Sequence, residues 1–422
     1  MTKKHDKKCP LVQRLRFPEF HDAGEWEEVT VTDLLTESCQ IGSKGNKAKK
    51  LTVKLWGKGV FEKEETFQGS VNTQYYRRRA GQFIYSKLDF LNQAFGIIPH
   101  YLDGFESTAD LPCFDFRSDV NPVFFLEYVK REAFYKKLGE IADGGRKAKR
   151  IQVDVFLSFP VLLPPQTKEQ QKIADCLSSL DERIDAETSK LERLKEHKKG
   201  LLGRLFPAEG ERLPRLRFPE FRDAGEWKKN FLDEYSEVVR GGSPRPIDNF
   251  LTTKKDGLNW LKIGDINKEA KYVVATTEKV RAEALSKTRE ISPGDLILSN
   301  SMSFGRPYIS KIKTCIHDGW IAITKISKKL HVEYLYYLIS SPFSQQYFTN
   351  NAAGSGVQNL NADIIKSLPI FFPNILEQQR IADCLSSLDE LITAQTQKIV
   401  LLKEHKKGLM QQLFPRIDEV LA

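Results

Sequence analysis

The first chemistry the sequence offers is arginine beside tyrosine. YYRRR at 75–79 sets Arg77, Arg78 and Arg79 next to Tyr75 and Tyr76 in a predicted loop, and a guanidinium can fork onto a phosphate or onto the edge of a guanine. GGRKAKR at 144–150 adds a second basic turn carrying Arg146, Lys147 and Lys149, and the corresponding turn later in the chain holds Gln358 and Asn359, types suited to reading adenine. RGGSPRP at 240–246 contributes Arg240, Ser243 and Arg245, and a loop after a predicted strand contributes Asn300, Ser303 and Arg306. Loops on a rigid sheet can present such groups to a groove, and Gly241, Gly242, Pro244 and Gly305 are expected to shape them. A solvated charged surface would have the same composition, and Lys44, Lys47, Lys49 and Lys50 are expected to touch phosphates or nothing rather than bases.

Catalytic and metal chemistry find no comparable support. No G-x-x-x-x-G-K-[ST] loop exists to cradle a nucleotide, the glycines at 354–356 form a lone Gly-x-Gly, and no H-E-x-x-H pair is present. Asn121-Pro122-Val123-Phe124 lacks the second proline of an N-P-P-[YF] methyltransferase motif and fits a helix cap better. The six cysteines form no C-x-x-C pair, so neither zinc nor a disulfide framework is expected. His197 and His405 are expected to be solvated. Lys and Arg total 65 against 56 acidic residues, a net +9, which suits a polyanionic partner without proving one. No apolar run approaches the ~20 residues a membrane span requires, so the expected location is cytoplasmic with no membrane partner.

The elements that must carry these loops are written twice. RLRFPEFHDAGEW at 14–26 returns as RLRFPEFRDAGEW 201 residues later, and EQQKIADCLSSLDE at 169–182 returns as EQQRIADCLSSLDE 208 residues later. Those offsets exceed any solenoid period and indicate a duplicated domain with its helix. The expected parts are a first globular domain over 1–168, a helix over 169–207, a second globular domain over 208–376, and a helix with a tail over 377–422. Predicted strands near 82–85, 95–98, 295–298 and 321–326 make both globular regions mixed α+β. Asn121 and Pro122 open a helix with an apolar face of Phe125, Tyr128, Val129 and Tyr135, and 331–341 is its counterpart. Ile173, Leu177, Leu180, Ile184, Leu191, Leu194, Leu201 and Leu205 alternate steps of four and three, broken by Glu187 and Lys198. The second copy repeats the pattern with Gln395 and Lys406 as its breaks. Such a seam is a coiled-coil signature, and a rod of roughly 50 Å is too long for either globular region to cover. The helices are expected to pair antiparallel about a pseudo-two-fold axis; the alternative is that each lies on its own globular region. Phe17, Phe20 and Trp26, with Phe218, Phe221 and Trp227, are expected to pack at the helix ends.

This layout resembles the specificity subunit of type I restriction-modification systems over nearly the whole chain. RGGSPRP at 240–246, WLKIGDI at 260–266, PGDLILSNSMSFGRP at 293–307 and GSGVQNLNADIIKSLPI at 354–370 carry the resemblance, while GSVNTQYYRRRAGQFIYSKLDFLNQAFGIIP at 69–99 looks like a different class of recognition domain in the same family. The resemblance implies two target-recognition domains alternating with two helical spacers, and a non-catalytic chain that reads an asymmetric bipartite site on double-stranded DNA. It implies two modification (methyltransferase) subunits as partners, with restriction subunits in the full complex. It implies no cofactor in this chain, S-adenosylmethionine on the modification subunits, and ATP and Mg on the restriction subunits. It also allows the RFPEF segments an outward face for the modification subunit. A stand-alone pseudo-symmetric DNA-binding regulator is the alternative function.

Overall fold

A computed structural model describes residues 13–64, 69–140, 149–300, 304–352 and 359–415. Two helices of 39 residues each, Thr167–Leu205 and Ile375–Leu413, carry the repeated seam. The chain divides into two compact units, Met1–Thr188 with Gln397–Ala422, and Ser189–Thr396, so each long helix gives its two ends to different units. The architecture is α+β, with one globular region per unit.

In the first unit, Glu27–Thr30 pairs antiparallel with Pro160–Leu163. A four-stranded antiparallel sheet runs Leu35–Glu37, Cys113–Phe116, Phe83–Tyr85, Phe95–Ile97, and a three-stranded sheet joins Ile41–Lys44, Gln74–Arg77 and Glu106–Ser107. A hairpin of Leu51–Lys54 and Gly59–Glu62 completes it. The expected cap is present: Asn121 Oδ1 accepts the Phe124 N–H at 2.9 Å and opens the helix Pro122–Val129. Tyr135 lies on the next helix, Glu132–Glu140. The chain turns at Lys130 and Arg131 between the two, and the Arg131 carbonyl accepts the Phe134 and Tyr135 N–H groups at 2.8 and 3.2 Å to start the second.

The second unit repeats the first pairing as Lys228–Phe231 with Pro369–Phe372. Its other sheets differ. One five-stranded sheet runs Glu237–Arg240, Trp320–Thr324, Leu296–Ser299, Pro307–Ser310, Tyr272–Val273, and another runs Leu251–Thr252, Glu278–Val280, Leu258–Leu261, Thr314–Ile316, Arg289–Ile291.

Each unit's core contains parts of both long helices. Ile173, Ala174, Leu177, Leu413 and Phe414 share the first core with Phe124, Tyr128 and Trp26. Ile381, Ala382, Leu385, Leu201, Leu205 and Phe206 share the second with Tyr334 and Trp227. The globular regions therefore cover the helix ends, which combines the two packing arrangements weighed from the seam. Within the first unit the helix segments are antiparallel, since Glu187 meets Lys398 while Asp181 meets Lys406 at 2.6 Å. In the second, Lys198 meets Asp389. The seam's charged interruptions are thus ion pairs rather than gaps.

The repeated segments tie the parts together by buried charge. Arg16 reaches Glu169 through Nε at 2.8 Å and Nη2 at 2.6 Å, and its Nη1 donates to Gly24 O at 2.7 Å. Arg217 reaches Glu377 at 2.7 Å through both nitrogens and Gly225 O at 2.8 Å. The neighbouring glutamines act alike: Gln170 Oε1 accepts the Asn121 N–H at 2.9 Å, and Gln378 Oε1 accepts the His331 N–H at 2.8 Å.

One network belongs to the second unit alone. Lys271 Nζ donates to Glu333, Tyr337 and Ser386, each at 2.9 Å, and Tyr272 donates to Glu333 at 2.6 Å. Burial opposes ionisation of Glu333, but the Tyr272, Lys271 and Ser386 donors outweigh it and bring its pKa down to about 2. Burial lowers the Lys271 pKa. A depressed carboxyl contributes stability above its unfolded pKa of about 4.3 and loses it as pH falls toward the folded value. Glu333→Gln is therefore expected to be less stable near pH 7, on the order of 1 kcal/mol after solvent screening, with the gap closing between about pH 4 and pH 2. Urea melts over that range test this; a gap independent of pH would refute it.

Candidate nucleic-acid interface

In the second unit the Gly/Pro-rich loop leaves the strand Glu237–Arg240 and lies against the turn that precedes Trp320–Thr324. Gly241 N–H bonds Trp320 O at 2.8 Å and Gly242 N–H bonds Ile316 O at 3.2 Å. A Cβ on Gly241 would fall 2.2 Å from His317 O, and one on Gly242 2.6 Å from Lys287 O, so the approach requires glycine at both places.

That approach gathers the expected residues around Asp318. Ser243 Oγ donates to its carboxylate at 2.9 Å, Arg245 Nη2 lies 3.4 Å from the other oxygen, and Arg240 Nε and Asn300 Nδ2 donate to its carbonyl at 3.1 and 3.4 Å. Burial works against ionisation of Asp318, but the Ser243 hydroxyl and the charges of Arg245 and Arg240 outweigh it and hold the carboxyl below its ordinary range. His317 Nδ1 accepts the Gly319 N–H at 2.9 Å and lies 3.0 Å from the Asp318 carboxylate. The Arg245 side chain remains 81% exposed. Asp318 thus orients two guanidiniums without burying them, leaving a local excess of positive charge at the loop.

Asn359 is exposed, and the next residue's N–H bonds Asn300 O at 2.9 Å, which brings it to the same loop. Arg306 does not join the cluster; its guanidinium pairs with Glu269 at 3.4 Å. Ser303 and Gln358 lie outside the described residues, as do Arg146 and Lys147.

In the first unit the YYRRR segment departs from the loop expected of it, because Gln74–Arg77 is a strand, with Tyr76 opposite Ile41 and Ser107. The strand ends at Arg77, and the three arginines part there. Arg77 is exposed. Arg78 is 2% exposed, with Nε on Ser107 Oγ at 2.8 Å, Nη1 on Ser38 O at 2.7 Å and Nη2 on Leu111 O at 3.1 Å. This corrects the expectation that Arg78 reaches a nucleic acid: its donors are committed inside the domain. Arg79 uses one nitrogen on both oxygens of Asp115, at 2.9 and 3.0 Å, and stays 61% exposed. Lys149 is exposed and donates to Gly139 O at 2.9 Å. Lys44, Lys47 and Lys49 are exposed, whereas Lys50 is 4% exposed with its ammonium 5.4 Å from the Tyr75 ring centre.

Both units therefore present exposed guanidiniums: Arg79 is paired with Asp115 and Arg245 with Asp318, Arg240 rests on the Asp318 carbonyl, and Arg77 stands exposed at the end of its strand. Asp115 and Asp318 were not legible as their holders. Among the described residues no group of three His, Cys, Asp or Glu could hold a metal ion, and no helix among them is long and apolar enough to cross a membrane.

The family model for the type I restriction modification DNA specificity domain matches the chain twice, at residues 24–196 and 224–404. The type I restriction enzyme MjaVIII specificity subunit of Methanocaldococcus jannaschii is 24% identical over 303 residues, 68% of this chain and 68% of that protein. Two solved structures are similar in fold. One is a chain from a study of complex assembly and conformational transition in a type I restriction-modification system, with a TM-score of 0.60 at 16% identity over 92% of this chain and 97% of that one. The other is the S subunit of a type I restriction-modification system from M. genitalium, with a TM-score of 0.55 at 13% identity over 96% and 99% of the two chains.

Proposed function

Because the chain belongs to the type I restriction-modification DNA specificity family, we propose that its two globular regions each read one half of an asymmetric, bipartite site on double-stranded DNA. The chain contributes selection rather than reaction. In this reading it scaffolds two modification subunits carrying S-adenosylmethionine, and restriction subunits that use ATP and Mg join them in the cytoplasm. The observation that carries the proposal is an asymmetry of repetition: the Arg16–Glu169 tie recurs as Arg217–Glu377, while the sheets that bear Arg77 and Arg240 differ in strand order. A scaffold is duplicated and its reading heads have diverged.

The test is duplex binding by the full chain, alone and with its modification subunit. Affinity is expected to fall as salt rises, because phosphate contacts release counterions, and to become sequence-selective with the partner bound. Arg77→Ala and Arg245→Ala should each weaken selective binding by roughly 5- to 100-fold. Salt-independent binding, or none with the partner present, would refute the proposal.

A further inference from the structure

The tip of the hairpin Leu51–Lys54/Gly59–Glu62 carries a residue that folding does not account for. Lys54 pairs with Gly59, leaving residues 55–58 as the turn, and within it Trp56 has φ 62°. That left-handed region suits glycine or asparagine, and a bulky side chain there is an outlier. Packing does not compensate, since Trp56 is 64% exposed and its neighbour Leu55 39%. The backbone nevertheless holds the tip in place: Trp56 N–H bonds Asn92 O at 2.7 Å and Gly57 N–H bonds Gln93 O at 3.0 Å. An indole is thus presented to solvent on a fixed support, at a conformational cost that burial does not offset.

Charge identifies what it meets. Between Gln40 and Phe61 the sequence has six lysines and no acidic residue. Lys54 and Lys58 stand exposed on the two sides of Trp56, and Lys44, Lys47 and Lys49 are exposed on the approach to the hairpin. An exposed indole with an exposed lysine two residues away on each side, the Lys54 ammonium resting 4.2 Å from the Phe61 ring centre, matches a duplex, whose phosphates line both edges of a groove while the base steps between them accept an apolar wedge.

We propose that Trp56 inserts at a base step of the DNA beside the first recognition region, with Lys54 and Lys58 on the flanking phosphates, and that the duplex kinks there. The proposal rests on the DNA-reading function above and adds a deformation step to it.

The test is Trp56→Gly in the full chain with its modification subunit, read by thermal melting, by duplex affinity and by the end-to-end distance of a doubly dye-labelled duplex. Relief of the left-handed conformation should raise Tm by a few degrees. Affinity should fall about ten- to a hundredfold, and the labelled ends should move apart as the kink is lost. Trp56→Phe should retain most of the affinity and the kink, and Lys54→Gln with Lys58→Gln should flatten the salt slope by about two. A Trp56→Gly chain that binds and bends like the wild type overturns the proposal, as does lost affinity with an unchanged kink, or a lowered Tm. A wild-type chain that binds no duplex overturns the DNA reading itself, and this proposal with it.

Discussion

A chain in which residues 228–374 replace residues 27–166 is expected to direct methylation to a symmetric target, its two half-sites identical and inverted. The graft should fold because it lands on matching partners. The first globular region packs on Ile173, Ala174, Leu177, Leu413 and Phe414; the second packs on Ile381, Ala382, Leu385, Leu205 and Phe206. The residue types agree at every one of these positions. Glu169 and Glu377 are likewise buried alike, each with an arginine from the preceding repeat. The sheets that carry the proposed reading residues, in contrast, differ between the halves. Methylation mapping of the chimera with its modification subunit decides the matter, and retention of the parental asymmetric target would show that the globular regions do not each read a half-site.

The second large effect concerns stability. Arg217→Ala is expected to cost about 3–5 kcal/mol, because it leaves the Glu377 carboxylate, 0% exposed, without its ion-pair partner. Removing both groups, as Arg217→Met with Glu377→Leu, should recover most of that loss, since a buried pair contributes less than its halves cost alone. The first unit offers an internal comparison. Glu169 also accepts Gln13 Nε2 at 2.9 Å and Trp26 Nε1 at 3.3 Å, whereas Trp227 Nε1 has no hydrogen-bond partner among the described residues. Arg16→Ala leaves those donors in place and is expected to cost less than Arg217→Ala. Denaturant unfolding of the variants measures this directly, and equal losses would show that the extra donors do not share the burden.

What the sequence discloses follows the range of the interaction. The seam from Ile173 to Leu205 and the Asn121 cap depend on residues a few positions apart, and both are visible as spacing. The partners of Arg16 and Arg217 lie 153 and 160 positions away, so the repeated RFPEF segments show apolar anchors but not the charge that fixes them. Asp318 escaped for the same reason: nothing in RGGSPRP indicates a carboxylate 75 residues on from Ser243. Arg78 failed differently. Three consecutive arginines look equivalent in composition, and only the fold beyond the end of the strand at Arg77 turns the middle one inward to Ser107. Trp56 carried no signal at all, because its meaning lies in a backbone angle.

The sharing of helix ends sets an order of events during synthesis. The second unit is one continuous stretch, Ser189–Thr396, but the first needs Gln397 onward as well as its own beginning. Leu413 and Phe414 sit in the first core against Trp26, Phe124 and Tyr128. The first unit therefore begins to emerge before the second but completes its interior only after the whole of Ser189–Thr396 has been translated. The usual sequence, in which the domain translated first folds first, is expected to be reversed for these two units. Until Leu413 and Phe414 emerge, the apolar faces of Phe124 and Tyr128 wait uncovered, and the end of the second long helix acts as the latch on the first unit.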